Sequence, residues 1–370
     1  MPCPRSRNPG GDAFAIAEAM KTTAVLFVLA AIVVVLLTTV RTPCLSARRR
    51  LLGVSALAFL CAQFGLALLA ARIGVHGPSS LAGVFAGALT PTDTGPVVAI
   101  LGSSYSSRGL DGKLLERLLT RQGMTVRVAQ LSYPGAYAYE QDYLFERHLR
   151  SGATPPAVVL LELGSEMHIA QRPEERYQPA VLAYRDLDRT AAMLWRVWVN
   201  TEGAAAGARM ATALDLVLHG LSHYAHLGFL HSAVFGQPRV LDGFLPEQAV
   251  AGAPTPAAIA EQFNQSHDPG FDRAASDFRA GQATAWRRLG VRDVIFFQPP
   301  MADPRRRAEV NGLCGALAPY CIAADTRLLS ALNGPYWTDL GHLNSEGAER
   351  WTHWLAEALA ADARIRHALY

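Results

Sequence analysis

The chain reads as an α/β protein, a three-layer parallel sheet flanked by helices, with two transmembrane helices ahead of it and a mainly helical insertion within it. Three observations predict this. Short apolar runs alternate with helical patterns from residue 96 onward, two charge-free stretches stand near the N-terminus, and residues 171–270 break the alternation. The expected layout is a tail over 1–21, two spans within 22–71, a linker over 72–95 and a globular part over 96–370.

Thr22 to Val40 carries no charge in nineteen residues, and Leu51 to Ala71 none in twenty-one, with Gln63 its most polar member. At 1.5 Å rise per residue each stretch covers roughly 30 Å, the thickness of a bilayer core. A cleaved signal peptide followed by a buried helix is the alternative, but signal cores are usually ~7–15 residues long. Met20 directly precedes the first span and would serve as a second translation start. Arg41, Arg48, Arg49 and Arg50 crowd the connection between the spans, whereas only Arg72 appears between the second span and Arg108. The positive-inside rule then sets the connection in the cytoplasm and residues 72–370 outside, although Arg5, Arg7 and Lys21 argue the other way. The expected location is the inner (cytoplasmic) membrane, with the globular part facing the periplasm or cell exterior.

Residues 72–95 are rich in Gly, Pro, Ser and Thr and read as a tether. Val97 to Leu101 is a continuous apolar run, the mark of a strand buried on both faces. Leu114, Leu115, Leu118 and Leu119 recur at helical spacing, with Gly123 as a stop. Val126, Val128 and Leu131 predict a second strand, Tyr139 to Leu149 a helix, and Ala157 to Leu163 a third strand. Within the insertion, Thr190 to Val199 and Ala211 to Leu230 look helical. The alternation resumes with a helix from Phe271 to Leu289, a strand from Val294 to Phe297, a loop with Pro299 and Pro300, and a last helix from Glu346 to Leu359. Trp351, Trp354, Leu355 and Leu359 share one face of that helix.

A net charge of +3 is too small to argue for nucleic acid as a partner. The sequence shows no metal-ligand spacing, and no cofactor is expected. Cys3, Cys44 and Cys61 belong to the membrane part, which leaves Cys314 and Cys321 as a candidate disulfide in an oxidising compartment, or as two unrelated thiols.

The candidate chemistry lies at the two ends of the globular part. Ser104 follows the first apolar strand in Gly102-Ser103-Ser104, and Asp339 stands three residues ahead of His342. A serine hydroxyl is a poor nucleophile until an imidazole takes its proton, and the imidazole needs a carboxylate to hold its other nitrogen in the right tautomer. Other readings stand beside this one: Ser104 as a helix cap, Asp339 as a turn residue, and His342 as a packed side chain ahead of an Asn344 or Ser345 cap.

Residues 96–370, apart from the insertion, resemble the SGNH (GDSL-like) hydrolase superfamily. Its first block is Gly-Asp-Ser after strand one and its last is Asp-x-x-His before the final helix. Gly102-Ser103-Ser104 matches the first with Ser in place of Asp, and Asp339-Leu340-Gly341-His342 matches the second. The resemblance implies a flavodoxin-like sheet, with Ser104 as nucleophile, His342 as base and Asp339 as its orienter. It also implies an oxyanion hole made by the Ser104 amide, Gly135 of Pro134-Gly135, and a residue in the place of the family's Asn. That place falls in Leu163-Gly164-Ser165-Glu166, so Ser165 or Glu166 occupies it, and an ionised Glu166 could not donate. The tethered domain looks most similar to the cell-envelope acyl-transfer branch, with the alginate and cellulose O-acetylation proteins and the D-alanyl transfer protein of teichoic acid synthesis. The implied partners are the lipid bilayer, a polytopic membrane-bound O-acyltransferase and an envelope glycan. The implied activity is movement of an acyl group, most simply acetyl, onto an envelope polysaccharide. An anchored esterase or lipase acting on an acyl ester is the second expectation, and a non-catalytic partner of the membrane transferase the third. Tyr133, Tyr137 and Tyr139 near Gly135 lean toward a sugar platform, with a place in the core as the other reading.

Overall fold

The computed structural model describes residues 95–134, 136, 138–150, 152–164, 206–224, 244–246, 253–266 and 273–370, with a few single residues elsewhere. The tail, nearly all of both expected spans and of the linker, and most of the insertion lie outside them. Among the described residues no helix is long and apolar enough to cross a membrane. The chain divides into two compact units, Met1–Ala82 with Ile169–Pro238, and Gly83–His168 with Arg239–Tyr370.

The second unit holds a five-stranded sheet in which every pairing is parallel. Its strands are β1 (Val97–Leu101), β2 (Arg127–Gln130), β3 (Val158–Glu162), β4 (Asp293–Phe297) and β5 (Cys321–Ile322), in the order β2-β1-β3-β4-β5. All five residues of β3 and all five of β4 are buried, as helices on both faces require. The chain first winds from β1 out to β2 and then returns past β1 to β3 and β4. The reversal lies between β1 and β3, where doubly wound sheets leave a crevice beyond the strand ends.

The flanking helices of this unit are α1 (Ser104–Gly109), α2 (Gly112–Arg121), α3 (Ala138–Arg150), α5 (Pro256–Asn264), α6 (Arg273–Arg288), α7 (Pro304–Ala316), α8 (Thr326–Ala331), α9 (Ser345–Ala361) and α10 (Ala363–Leu369). Of the first unit, helix α4 (Ala206–Tyr224) is described; it buries Ala213 and Leu216 and exposes Met210, Leu214 and Leu218. Sequence periodicity located α2, α3, α6 and α9 to within a few residues but gave no sign of α7, α8 or α10. Helix α7 begins at Pro304 behind the capping Asp303 and opens with three arginines that break up any apolar stripe; α8 and α10 are too short for a helical period to emerge.

Two buried contacts fix the start of the fold. The Gln130 side chain, 8% exposed, donates to the carbonyls of Ser106 (3.1 Å) and Leu110 (2.8 Å) and accepts from the Gly112 N–H (3.0 Å). It thereby ties α1 and α2 to β2. A Cβ on Gly109 would come within 2.6 Å of the Trp351 ring, so the glycine permits the close crossing of α1 and α9.

Candidate active site

Strand β1 ends at Leu101, and after Gly102 and Ser103 helix α1 begins at Ser104. The cap is Ser103, not Ser104: the Ser103 Oγ accepts from the Tyr105 N–H at 3.4 Å. Ser104 therefore keeps its hydroxyl for other work. The N–H groups of Ser103 and Ser106 donate to Glu162 Oε2 at 3.1 and 2.9 Å, and the Ser107 N–H donates to the Ser103 carbonyl at 3.0 Å. The Ser104 N–H has no acceptor among the described residues.

A second loop brings the imidazole. Trp337 and Leu343 form an antiparallel bridge, closed by the Thr338 N–H on the His342 carbonyl at 2.9 Å. Inside it, Asp339 Oδ1 accepts from the N–H groups of Gly341 (2.6 Å) and His342 (2.8 Å), an Asx turn. Asp339 Oδ2 lies 2.7 Å from His342 Nδ1. The Leu340 carbonyl accepts from the N–H groups of Ala302 and Asp303, both at 3.1 Å, which anchors the loop beyond β4. Asn344 then caps α9 through the Gly347 N–H at 3.0 Å.

The two loops meet at the C-terminal end of β1. His342 Nε2 lies 2.8 Å from Ser104 Oγ. With Nδ1–H donated to the carboxylate, the Nε2 lone pair faces the serine hydroxyl. Asp339 is thus a turn residue and an orienter at once. Burial pushes its carboxyl up, but the bonds from the His342 ring and the Gly341 N–H outweigh this and hold it below the usual aspartate value. The Tyr105 ring stacks on the imidazole, with centroids 5.2 Å apart and planes 19° off parallel. Its hydroxyl accepts from Arg306 Nη1 at 2.7 Å. Burial raises the Tyr105 phenol above its ordinary value, so the hydroxyl stays protonated at neutral pH.

Gly135, Ser165 and Glu166, the expected oxyanion-hole residues beyond Ser104, lie outside the described residues. Tyr133 is 8% exposed, with its N–H on the Gly102 carbonyl at 3.2 Å; Tyr137 and the Tyr139 side chain lie outside the description. Cys314 and Cys321 are joined by a disulfide with a Cα–Cα distance of 5.4 Å, linking α7 to the edge strand β5. Among the described residues no cluster of His, Cys, Asp or Glu could hold a metal ion.

Glu162 went unnoticed in the sequence. It ends β3, is 3% exposed, and its carboxylate accepts from Ser103 Oγ–H (2.5 Å) and Ser106 Oγ–H as well as from the two amides above. The signal was present: a lone carboxylate between Leu161 and Leu163, in a strand otherwise apolar and fully buried.

No family model matches the chain, and no curated protein does. Among solved structures, a gut microbial diltiazem-metabolizing enzyme aligns with 74% of this chain at 12% identity and a TM-score of 0.25. The chain spans about half of that enzyme's length, 49%. A superposition this loose carries no argument about fold or activity.

Proposed function

We propose that the chain is a membrane-anchored SGNH-type serine acyltransferase, with Ser104 as nucleophile, His342 as base and Asp339 as orienter. The observation that carries this is the continuous relay from Asp339 through both ring nitrogens of His342 to Ser104 Oγ, at 2.7 and 2.8 Å, beside a Ser104 amide that has no acceptor among the described residues. Ser104 Oγ attacks the acyl carbonyl carbon as its proton passes to His342 Nε2, and the oxyanion takes a hydrogen bond from the Ser104 N–H. Collapse expels the donor's alkoxide, which leaves with the proton from His342 and an acylated Ser104 behind. A glycan hydroxyl then gives its proton to His342 and attacks the acyl-serine, which restores the free serine and yields the new ester. The disulfide supports an oxidising compartment, in keeping with an envelope acceptor.

Hydrolysis is the second reading, and the exposure of the relay favours it. The His342 side chain is 20% and the Asp339 side chain 55% exposed, so water can reach the acyl-serine. The experiment is a p-nitrophenyl acetate assay of the full chain in detergent, with and without a soluble polysaccharide acceptor. Transfer predicts acetylated polysaccharide and a faster burst turnover with acceptor present; hydrolysis predicts free acetate at an unchanged rate. No nitrophenol release, and no labelling of Ser104 by a fluorophosphonate, would overturn both.

A further inference from the structure

We propose that Glu162 is the positioning residue of the nucleophile, holding the turn so that, of the amides at the start of α1, that of Ser104 remains for the substrate oxygen. This rests on the serine-catalysis reading above. A carboxylate buried to 3% exposure in an apolar strand is costly unless it is well hydrogen-bonded. Here four hydrogen bonds reach it from the turn that carries Ser104: from the amides of Ser103 and Ser106 and from the hydroxyls of the same two residues. They flank the nucleophile on both sides.

The arrangement sorts the free donors at the start of α1. The first N–H groups of a helix have no partner within it. The Tyr105 N–H goes to Ser103 Oγ, the Ser106 N–H to Glu162 and the Ser107 N–H to the Ser103 carbonyl. What remains is the N–H of Ser104 itself, the residue whose hydroxyl meets His342. Because the carboxylate accepts and has nothing to donate, it can take these amides without competing for the Ser104 hydroxyl. The strand end is held too, since Arg279 Nη2 donates to the Glu162 carbonyl at 3.1 Å. Gly102 completes the design: a Cβ there would stand 2.6 Å from Glu162 Oε2 and against the Ser106 hydroxyl.

The test compares wild type with Glu162→Gln, which keeps the side chain's volume and one acceptor oxygen. The full chain in detergent is assayed with p-nitrophenyl acetate and with a trifluoromethyl ketone, whose carbonyl becomes an oxyanion when Ser104 adds to it. The expected result is a fall in kcat of roughly 10- to 100-fold, below the 10²–10³ lost when an oxyanion donor is removed outright, with KM changed by less than about twofold. Ketone affinity should fall in step with kcat/KM, because both report on the oxyanion state. A purely structural role would lower the active fraction without changing the ketone's affinity, and that outcome, or an unchanged kcat, overturns the proposal. If Glu162→Gln does not fold, Ser106→Ala removes one of the carboxylate's donors, and a folded Ser106→Ala with wild-type kcat and ketone affinity overturns it equally. Wild-type protein whose Ser104 takes no fluorophosphonate fails at the earlier step, and then the serine-catalysis reading falls rather than the role of Glu162 within it.

Discussion

Asp339 grips His342 with both carboxylate oxygens: Oδ2 takes the ring Nδ1–H at 2.7 Å, and Oδ1 takes the backbone N–H at 2.8 Å. The ring is thereby oriented against the backbone that carries it. In Asp339→Asn, the amide oxygen can keep the turn while its NH₂ faces Nδ1 and forces the proton onto Nε2. Turnover should drop by about 10⁴ with the fold retained, the cost of a wrong tautomer in a well-characterised triad. Circular dichroism and melting check the fold, and p-nitrophenyl acetate turnover checks the chemistry. Wild-type rates in folded protein would move the orienting role elsewhere.

The same bonds make a small pH prediction. Because the folded carboxyl lies below the ordinary value of 3.8, its stabilisation is present above the unfolded value and is lost as pH falls through the folded one. The wild-type melting temperature should therefore decline below about pH 4 more steeply than that of Asp339→Asn. Parallel curves would remove the claim. With the side chain 55% exposed, water screens much of the effect.

Ser104→Ala should leave melting unchanged to within a few degrees and lower turnover by roughly 10⁴–10⁶. The cap belongs to Ser103, and the Ser104 side chain is only partly buried, so little holds the fold through its hydroxyl. Mass spectrometry after fluorophosphonate treatment should show the adduct on Ser104 in wild type and no adduct in the variant. Adducts on Ser106 or Ser107, both fully buried, would contradict the geometry.

The parallel sheet was legible because β1, β3 and β4 are apolar runs set between helical periods, the imprint of strands covered on both faces. The two-residue β5 was not, since so short an edge strand has no period and is placed instead by pairing to Phe296 and Phe297 and by the Cys314 disulfide. At the site, Ser104, Asp339 and His342 stood out because the chemistry demands those residue types at chain positions that a doubly wound topology brings together. Glu162 was passed over because a strand is read by its apolar majority, and what pairs a buried carboxylate cannot be seen until the turn folds over it. The Tyr105 stack and its Arg306 partner were hidden for a similar reason: 201 residues separate the two side chains.

A serine rather than an aspartate at position 103 has a physical reason in this chain. Ser103 Oγ–H donates to Glu162 Oε1 at 2.5 Å, where an Asp would set a second carboxylate against the first. Two such groups cannot both ionise when buried. Ser103→Asp should lower stability by several kcal/mol and abolish fluorophosphonate labelling. Adding Glu162→Gln should restore part of the stability, a coupling that a double-mutant cycle reads directly. If Ser103→Asp melts like wild type, the pairing is not what selects serine here.

Tyr105 offers a contrast between ring and hydroxyl. Tyr105→Phe keeps the stack on His342 and loses the Arg306 bond, so turnover should stay within about threefold. Tyr105→Ala removes the stack, worth ~0.5–1.5 kcal/mol for aromatic pairs, and frees the imidazole to turn. Turnover should then fall about tenfold. Equal losses in the two variants would assign the work to the Arg306 bond instead.

The disulfide links local stability to compartment. Closing a loop between residues seven apart restricts the unfolded chain by about 2–3 kcal/mol, so reduction should lower the melting temperature, and Cys314→Ser should match reduced wild type. In cells the bond is expected to form if residues 72–370 lie on the oxidising side, the side to which the four arginines between the expected spans point under the positive-inside rule. Thiol blocking in intact cells followed by reduction and maleimide labelling should show Cys314 and Cys321 protected as a pair. Reporter fusions after Thr90 give an independent reading, with alkaline phosphatase expected to be active there. An inactive phosphatase fusion beside a working cytoplasmic reporter would set the triad in the cytoplasm. An envelope glycan could then no longer be the acceptor, and a membrane-bound esterase would better account for the same relay.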